Sequence, residues 1–248
     1  ETQGRNPGRL IDAWQELLAR ELTSGRPVLG VSEVLSADRV ADEVDECITH
    51  EHLVNAAFEG RTRFRMVCPL DVTAIGSAVV DEMLAAHPVV GGRGCVDRRT
   101  TFHAASAAEL LGRPLSSPPD DAVRIVVEPG SLPALRRSVR AAAEAAGLAP
   151  AERVDDMVLA ASEIGANSVL HGGGSGRLAI WSDASALWCE VSDAGHIDDP
   201  LIGRRRARLD DQGGRGIWIA HQVCDLVQVR TGTAGTTVRL RMVLAPGR

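Results

Sequence analysis

ASEIGANSVLH, residues 161–171, decides how the second half of this chain is read. Glu163 and Asn167 stand four residues apart, so on a helix both project from one face. Val154, Met157, Val158, Ala161, Gly165 and Val169 mark the opposite face, a stripe small and apolar enough to lie on a sheet. The polar pair therefore points away from that sheet. Three further stretches follow in order: VSDAGHIDD at 191–199, GGRGIW at 213–218 and GTTVRL at 235–240. Asp193 ends an apparent strand and precedes Gly195. Gly213, Gly214 and Gly216 open a short helix, whose free backbone N–H groups suit phosphate. Taken singly, Glu-x-x-x-Asn reads as a solvated pair, Asp-x-Gly as a turn and GGRG as a loop. Taken together and in this order, they read as a nucleotide site.

The chain has 248 residues, enough for one large or two ordinary domains. It is 44% apolar and 24% charged, the balance of a soluble globular protein. A net charge of −6 argues against direct nucleic-acid binding, which normally needs a basic surface. There is no lysine and no tyrosine, and all 27 basic residues are arginine. Together with abundant Ala, Gly and Val, this is the coding bias of a GC-rich bacterial genome. Cys47, Cys68, Cys95, Cys189 and Cys224 are scattered, with no Cys-x-x-Cys pair. Their spacing fits neither a disulfide framework nor a zinc motif, so free thiols in a reducing cytoplasm are expected. No apolar run is long enough for a membrane span, and no secretory leader is visible.

Periodicity predicts helices over 9–23, 38–58 and 73–86, and strands over 27–34 and 63–71, in a first domain spanning 1–111. It fades through GGRGCVDRRTTF at 91–102. Three prolines, two serines and two acids between 112 and 121 read as a linker. The second domain, 122–248, opens with a strand at 122–129 and helices at 131–147 and 150–171. An antiparallel hairpin (176–183 and 186–193), a polar arm (196–212), a short helix (216–223) and strands at 225–230 and 236–244 follow. Helices on one face of a mostly antiparallel, mixed sheet make a two-layer α/β sandwich. The expected architecture is thus a smaller α/β domain followed by that sandwich.

Residues 122–244 resemble the ATP-binding domain shared by gyrases, heat-shock protein 90 and histidine kinases, the Bergerat or GHKL ATPase fold. Within that group they are most similar to the bacterial anti-sigma-factor serine/threonine kinases. The resemblance implies ATP and Mg2+ as cofactors. It makes Asn167 the magnesium ligand and Glu163, one turn earlier, the general base toward a hydroxyl nucleophile. It has Asp193 accept a hydrogen bond from the adenine amino group, with Gly195 allowing close backbone approach. It sets Gly214 and Gly216 beside the triphosphate and has Thr237 hold adenine from the far strand. The arm at 196–212 is the implied lid. The family's Asp-x-Gly-x-Gly motif is broken here, because its fifth position is Ile197. Asp198 and Asp199 give the lid an acidic start that magnesium or arginine must offset. Arg204, Arg205 and Arg206 read as a surface charge run, and His171 and His221 as packed or capping histidines.

Residues 1–111 resemble the MEDS sensory domain that precedes such ATPase domains in high-GC bacteria. The matching residues are NPGRLIDAW at 6–14, Glu51, Leu53 and Asn55, Cys68-Pro69-Leu70-Asp71, and His87-Pro88. The match begins partway into the module, so its N-terminal portion is expected to be missing, leaving a sheet edge or core surface open. Cys68 reads as a buried strand residue and His87-Pro88 as a helix end. A ligand or redox role for Cys68, Asp71 and His87 is the other reading.

The implied function is a cytoplasmic anti-sigma-type regulator of transcription that works by partner switching. It would bind a sigma factor, and phosphorylate a serine of a STAS-domain anti-anti-sigma protein, with a homodimer as the expected form. The alternative is a non-catalytic partner-binding module with a degenerate nucleotide site. A histidine kinase is disfavoured, because no paired dimerisation helices bearing a phosphorylatable His precede the linker.

Overall fold

Alternation of apolar and polar residues along 176–193 and 235–243 builds the sheet on which the Glu163/Asn167 helix rests. The computed structural model describes residues 5–21, 25–92, 95–98, 102–206 and 214–245. The chain divides into two units, Glu1–Ser106 and Ala107–Arg248.

In the second unit, β5 (Val123–Val127), β6 (Gly176–Ser182), β7 (Ala186–Asp193), β8 (Leu226–Gly232) and β9 (Gly235–Val243) form one sheet in the order β5-β6-β7-β9-β8. All of its ladders are antiparallel, so the expected parallel component is absent among the described residues. The reason is connectivity: β6–β7 and β8–β9 are tight hairpins, and short returns favour antiparallel neighbours. The helices α5 (Leu132–Ala145), α6 (Ala151–His171) and α7 (Arg215–Val223) cover one face. Their apolar stripes meet Leu178, Ile180, Leu187, Cys189, Val191, Val229, Val238, Leu240 and Met242 in one core. That layering is the two-layer α/β sandwich the sequence predicts.

α6 carries the decisive stretch and is anchored on three sides. Met157, Ala160 and Ala161 are fully buried. Gly165 lets α5 approach closely: a Cβ there would stand 2.8 Å from Leu135 Cδ1 and 3.4 Å from Leu132 Cδ2. Near its N-terminus, Arg153 Nη2 donates to Asp225 Oδ2 at 2.5 Å and to the Val243 carbonyl at 3.0 Å. Asp225 Oδ2 also accepts the Val243 N–H at 2.7 Å, so one ion pair ties α6 to both ends of the β8–β9 hairpin.

The opposite sheet face carries arginine and tryptophan. Trp181 and Trp188 stack with centroids 5.9 Å apart, and the Arg239 and Arg241 guanidinium groups lie over their rings at 5.3 and 5.4 Å. Arg239 Nη2 pairs with Glu190 at 2.5 Å and also donates to the Ser116 carbonyl. The proline-rich segment read as a linker is thereby bound to the sheet. It lies inside the second unit, after a short helix, α4 (Ala107–Leu111), that sequence periodicity did not reveal.

In the first unit a one-turn 3-10 helix (Pro7–Arg9) leads into α1 (Leu10–Glu21). Strands β1 (Val28–Val31) and β2 (Phe64–Val67) pair in parallel, joined by the long helix α2 (Ala41–Phe58). α3 (Ser77–Ala85) follows, then an antiparallel hairpin, β3 (Val89–Gly92) and β4 (Cys95–Arg98). That hairpin falls where periodicity fades, because its glycines carry no alternating side chain. Cys47, Ile48, Met83, Val34 and Leu35 form the core. One face of the β1–β2 pair is covered by Trp14 and Phe64, whereas Leu29, Val31 and Val67 on the other face are exposed. Among the described residues no helix is long and apolar enough to cross a membrane.

Replacing Gly165 by Val forces α5 and α6 apart. We expect a loss of about 1–3 kcal/mol of stability, read as a lowered Tm of the second unit in thermal denaturation. An unchanged or raised Tm contradicts the close-packing account.

Candidate functional site

The α6 face that carries Glu163 and Asn167 turns toward α7. The two helices meet at Gly216, where a Cβ would lie 2.9 Å from Asn167 Nδ2 and 3.2 Å from Glu163 Oε2. A side chain at 216 would therefore occupy the space between helix start and polar pair. Glu163 and Asn167 are both half-buried, and among the described residues neither side chain has a hydrogen-bond partner. Gly214 caps α7 with φ +82°, a left-handed conformation that favours glycine, and its carbonyl accepts the Trp218 N–H at 2.9 Å. Gly203, at φ +71°, lies directly against Ile217 and allows the arm to pass close over α7.

A cleft of about 230 Å³ opens beside this helix start. Asn167 and His171 of α6, Asp193 at the end of β7, Gly195 after it, Ile197, Asp198 and Asp199 of the arm, Gly214 before α7, Ile217 of α7, and Thr236 of β9 line it. Its size falls somewhat below the usual range of small-molecule sites, which starts at about 300 Å³.

Asp193 is fixed at the end of β7. Its Oδ2 accepts a 2.5 Å hydrogen bond from Ser168 Oγ, and its Oδ1 accepts the Gly195 N–H at 2.8 Å. Each oxygen keeps a lone pair for an incoming N–H donor. Gly195 lies against α6's end, where a Cβ would come 2.9 Å from the His171 carbonyl. Thr236 Oγ1 donates to the Gly195 carbonyl at 3.0 Å and sits 3.1 Å from Thr231 Oγ1. Thr231 Oγ1 in turn accepts the Ile197 N–H at 3.2 Å and contacts His196 Nδ1 at 3.1 Å. The two threonines thus hold the backbone loop that follows Asp193.

Glu163, Asn167 and Gly216 come together where α6 meets α7, and Asn167, Asp193, Gly195 and Gly214 share the cleft. Thr237 does not reach it. It pairs with Ser192 across β7–β9 and faces the other side of the sheet, beside the bound segment at 111–118. Thr236, paired with Asp193, takes the cleft side. Strand alternation alone distinguishes them, because Thr236 shares parity with the buried Val238, Leu240 and Met242. Sequence reading also missed Ser168, which positions Asp193. Its signal was a polar residue on α6 sharing a face with Ile164 and Ala161.

The break at Ile197 has a structural counterpart. Its backbone N–H is bound by Thr231 and its side chain packs against the domain core, while also lining the cleft. The acidic start of the arm is partly neutralised, since Arg205 Nη2 pairs with Asp199 Oδ2 at 2.7 Å. The arginine run is not uniformly superficial: Arg204 is buried, Arg205 is exposed, and Arg206 is exposed over the Trp218 ring at 5.7 Å. His221 is buried within α7 and His171 is exposed at the cleft rim. Gly213 and arm residues 207–212 lie outside the described residues.

These residues fit a magnesium nucleotide. A carboxylate with open lone pairs, an unpartnered amide and carboxylate, and a helix start with glycine at 214 and 216 share one end of the sheet. Residues 125–242 match the family model of the histidine kinase-like ATPase domain, and residues 1–88 match MEDS, the methanogen/methylotroph, DcmR sensory domain. A search of curated proteins finds no match to the chain. The chain therefore joins an N-terminal MEDS sensory domain to a C-terminal kinase-like ATPase domain.

Proposed function

We propose that the second domain binds ATP with Mg2+ and phosphorylates a serine hydroxyl on a STAS-domain anti-anti-sigma protein, so that the chain acts as an anti-sigma-type regulator by partner switching. The observation that carries this reading is the grouping of Glu163, Asn167 and Gly216 at one helix crossing, next to the cleft holding Asp193. The kinase-like ATPase match supports the nucleotide.

Each residue has a chemical task in this reading. Asp193, already fixed by Ser168 and Gly195, accepts the adenine amino group and selects the base. Thr236 stabilises the loop carrying Gly195. The α7 start at Gly214 and Gly216 receives the phosphates through backbone N–H groups. Asn167 offers its amide oxygen to magnesium, which when bound offsets charge on the transferring phosphoryl group. Glu163 removes the proton as the partner's serine oxygen bonds to the γ-phosphorus and the bond to the departing ADP breaks. The new phosphate adds about −1.5 to −2 charge and repels the acidic arm, releasing the partner. The chain, as a homodimer, is then free to hold its sigma factor away from the polymerase.

Ile197 favours a second reading, in which nucleotide is only a conformational ligand. Its side chain lines the cleft where the motif has glycine. The two readings part at Glu163. With labelled ATP, Mg2+ and a STAS partner, Glu163→Gln is expected to cut serine labelling by about 100-fold or more while ATP affinity stays within about threefold. Nucleotide binding by the wild type without any serine label supports the conformational reading; no nucleotide binding sinks both.

The strand register gives a second test. Thr236→Val is expected to weaken ATP binding by about tenfold, the cost of one lost hydrogen bond, whereas Thr237→Val leaves it unchanged. Isothermal titration of both variants checks this, and a stronger effect at Thr237 contradicts the cleft assignment.

A further inference from the structure

The first domain holds a second cluster, unrelated to the nucleotide cleft. Glu51 on α2, Cys68 just after β2 and His87 just after α3 each turn a ligand atom inward, and these atoms all lie within 4.8 Å of one another. Contrary to the reading of Cys68 as a buried strand residue, it stands past the strand end and is only half-buried.

Three features distinguish this cluster from an incidental ion pair. His87 Nδ1 lies 2.7 Å from the Met83 carbonyl, which can only accept, so Nδ1 carries a proton. That bond turns Nε2 inward, 3.1 Å from Glu51 Oε2. Orientation of an imidazole through its far nitrogen by a backbone carbonyl is how proteins present histidine to a metal. Second, Glu51 is 2% exposed and its other oxygen, Oε1, is buried with no hydrogen bond. A buried carboxylate oxygen without a donor is costly, and a cation satisfies it. Third, the backbone around the cluster is fixed: Asn55 Nδ2 donates to the Ala86 carbonyl at 2.8 Å and to the Glu51 carbonyl at 3.2 Å.

We propose that Glu51, Cys68 and His87 form a zinc site in the MEDS domain, with an exchangeable water as the fourth ligand. Thiolate, imidazole and carboxylate together suit Zn2+ better than the hard cations, which prefer oxygen alone. Bond lengths of about 2.0–2.3 Å set tetrahedral ligand separations of about 3.3–3.8 Å, so the cluster needs only side-chain adjustment to close on the ion. Three protein ligands leave one position open, and the partial exposure of Cys68 and His87 gives it a route to solvent. Burial, then the adjacent Glu51 carboxylate, raises the Cys68 thiol well above its usual range. The hydrogen bond that the His87 imidazole donates to Glu51 raises it above its usual range. A thiol must lose its proton to ligate zinc, so uptake of the ion releases protons.

The test uses the untagged full chain, stripped with chelator and free of nucleotide. Titration with Zn2+ against a chromophoric competitor is expected to show one ion bound per chain at micromolar free zinc, with proton release. Co2+ in its place is expected to give a thiolate charge-transfer band and the intense visible bands of tetrahedral cobalt. Cys68→Ser abolishes the charge-transfer band. Cys68→Ser and His87→Ala each weaken zinc binding by about tenfold or more, with the helical circular dichroism signal retained. Failure of the wild type to take up zinc overturns the proposal. So does equal affinity in both variants, or cobalt bound without a thiolate band.

Discussion

The second domain depends on how closely two helices meet. α6 brings Glu163 and Asn167 to the α7 start only because residue 216 has no side chain; a Cβ there would lie 2.9 Å from the asparagine amide. The same helix is allowed down onto α5 by Gly165, and its N-terminus is clamped by the Arg153–Asp225 pair. Positioning is thus set by packing and one ion pair at some distance from the chemistry. Among the described residues, the Glu163 and Asn167 side chains are left without a protein partner.

A second constraint acts at the end of β7. Asp193 is held on both oxygens, by Ser168 from α6 and by the Gly195 N–H from its own loop. Thr236 and Thr231 then hold that loop from the neighbouring hairpin. Helix, strand and loop meet on one carboxylate, so its orientation is decided before any ligand arrives. Preorganised acceptors of this kind lose little on binding. Ile197 belongs to the same network, since its backbone N–H ends on Thr231. An isoleucine in place of glycine is accommodated by anchoring the loop, with its side chain packed between the core and the cleft.

Much of this was legible in the sequence, for reasons that can be traced. The α6 pattern, the 176–193 hairpin and the glycines before α7 are local signals, and local signals survive in a single sequence. Their grouping was inferable because the four stretches occur together and in order. What escaped required tertiary information or finer counting. Thr237 fits the motif as a string, but strand alternation puts Thr236 on the cleft side. Ser168 escaped because its role lies in reaching a residue 25 positions away. The segment at 112–121 has the composition of a free linker, yet Arg239 binds it to the sheet through Ser116. In the first domain, Glu51, Cys68 and His87 lie on three separate elements, so no spacing rule brings them together.

The most direct test of the account is a crystal structure of the chain with a non-hydrolysable ATP analogue and Mg2+. The account predicts the adenine amino group within hydrogen-bond distance of the Asp193 carboxylate, magnesium on the Asn167 amide oxygen, and phosphates against the Gly214–Gly216 turn. Nucleotide bound elsewhere, or a cleft left empty at saturating analogue, contradicts it.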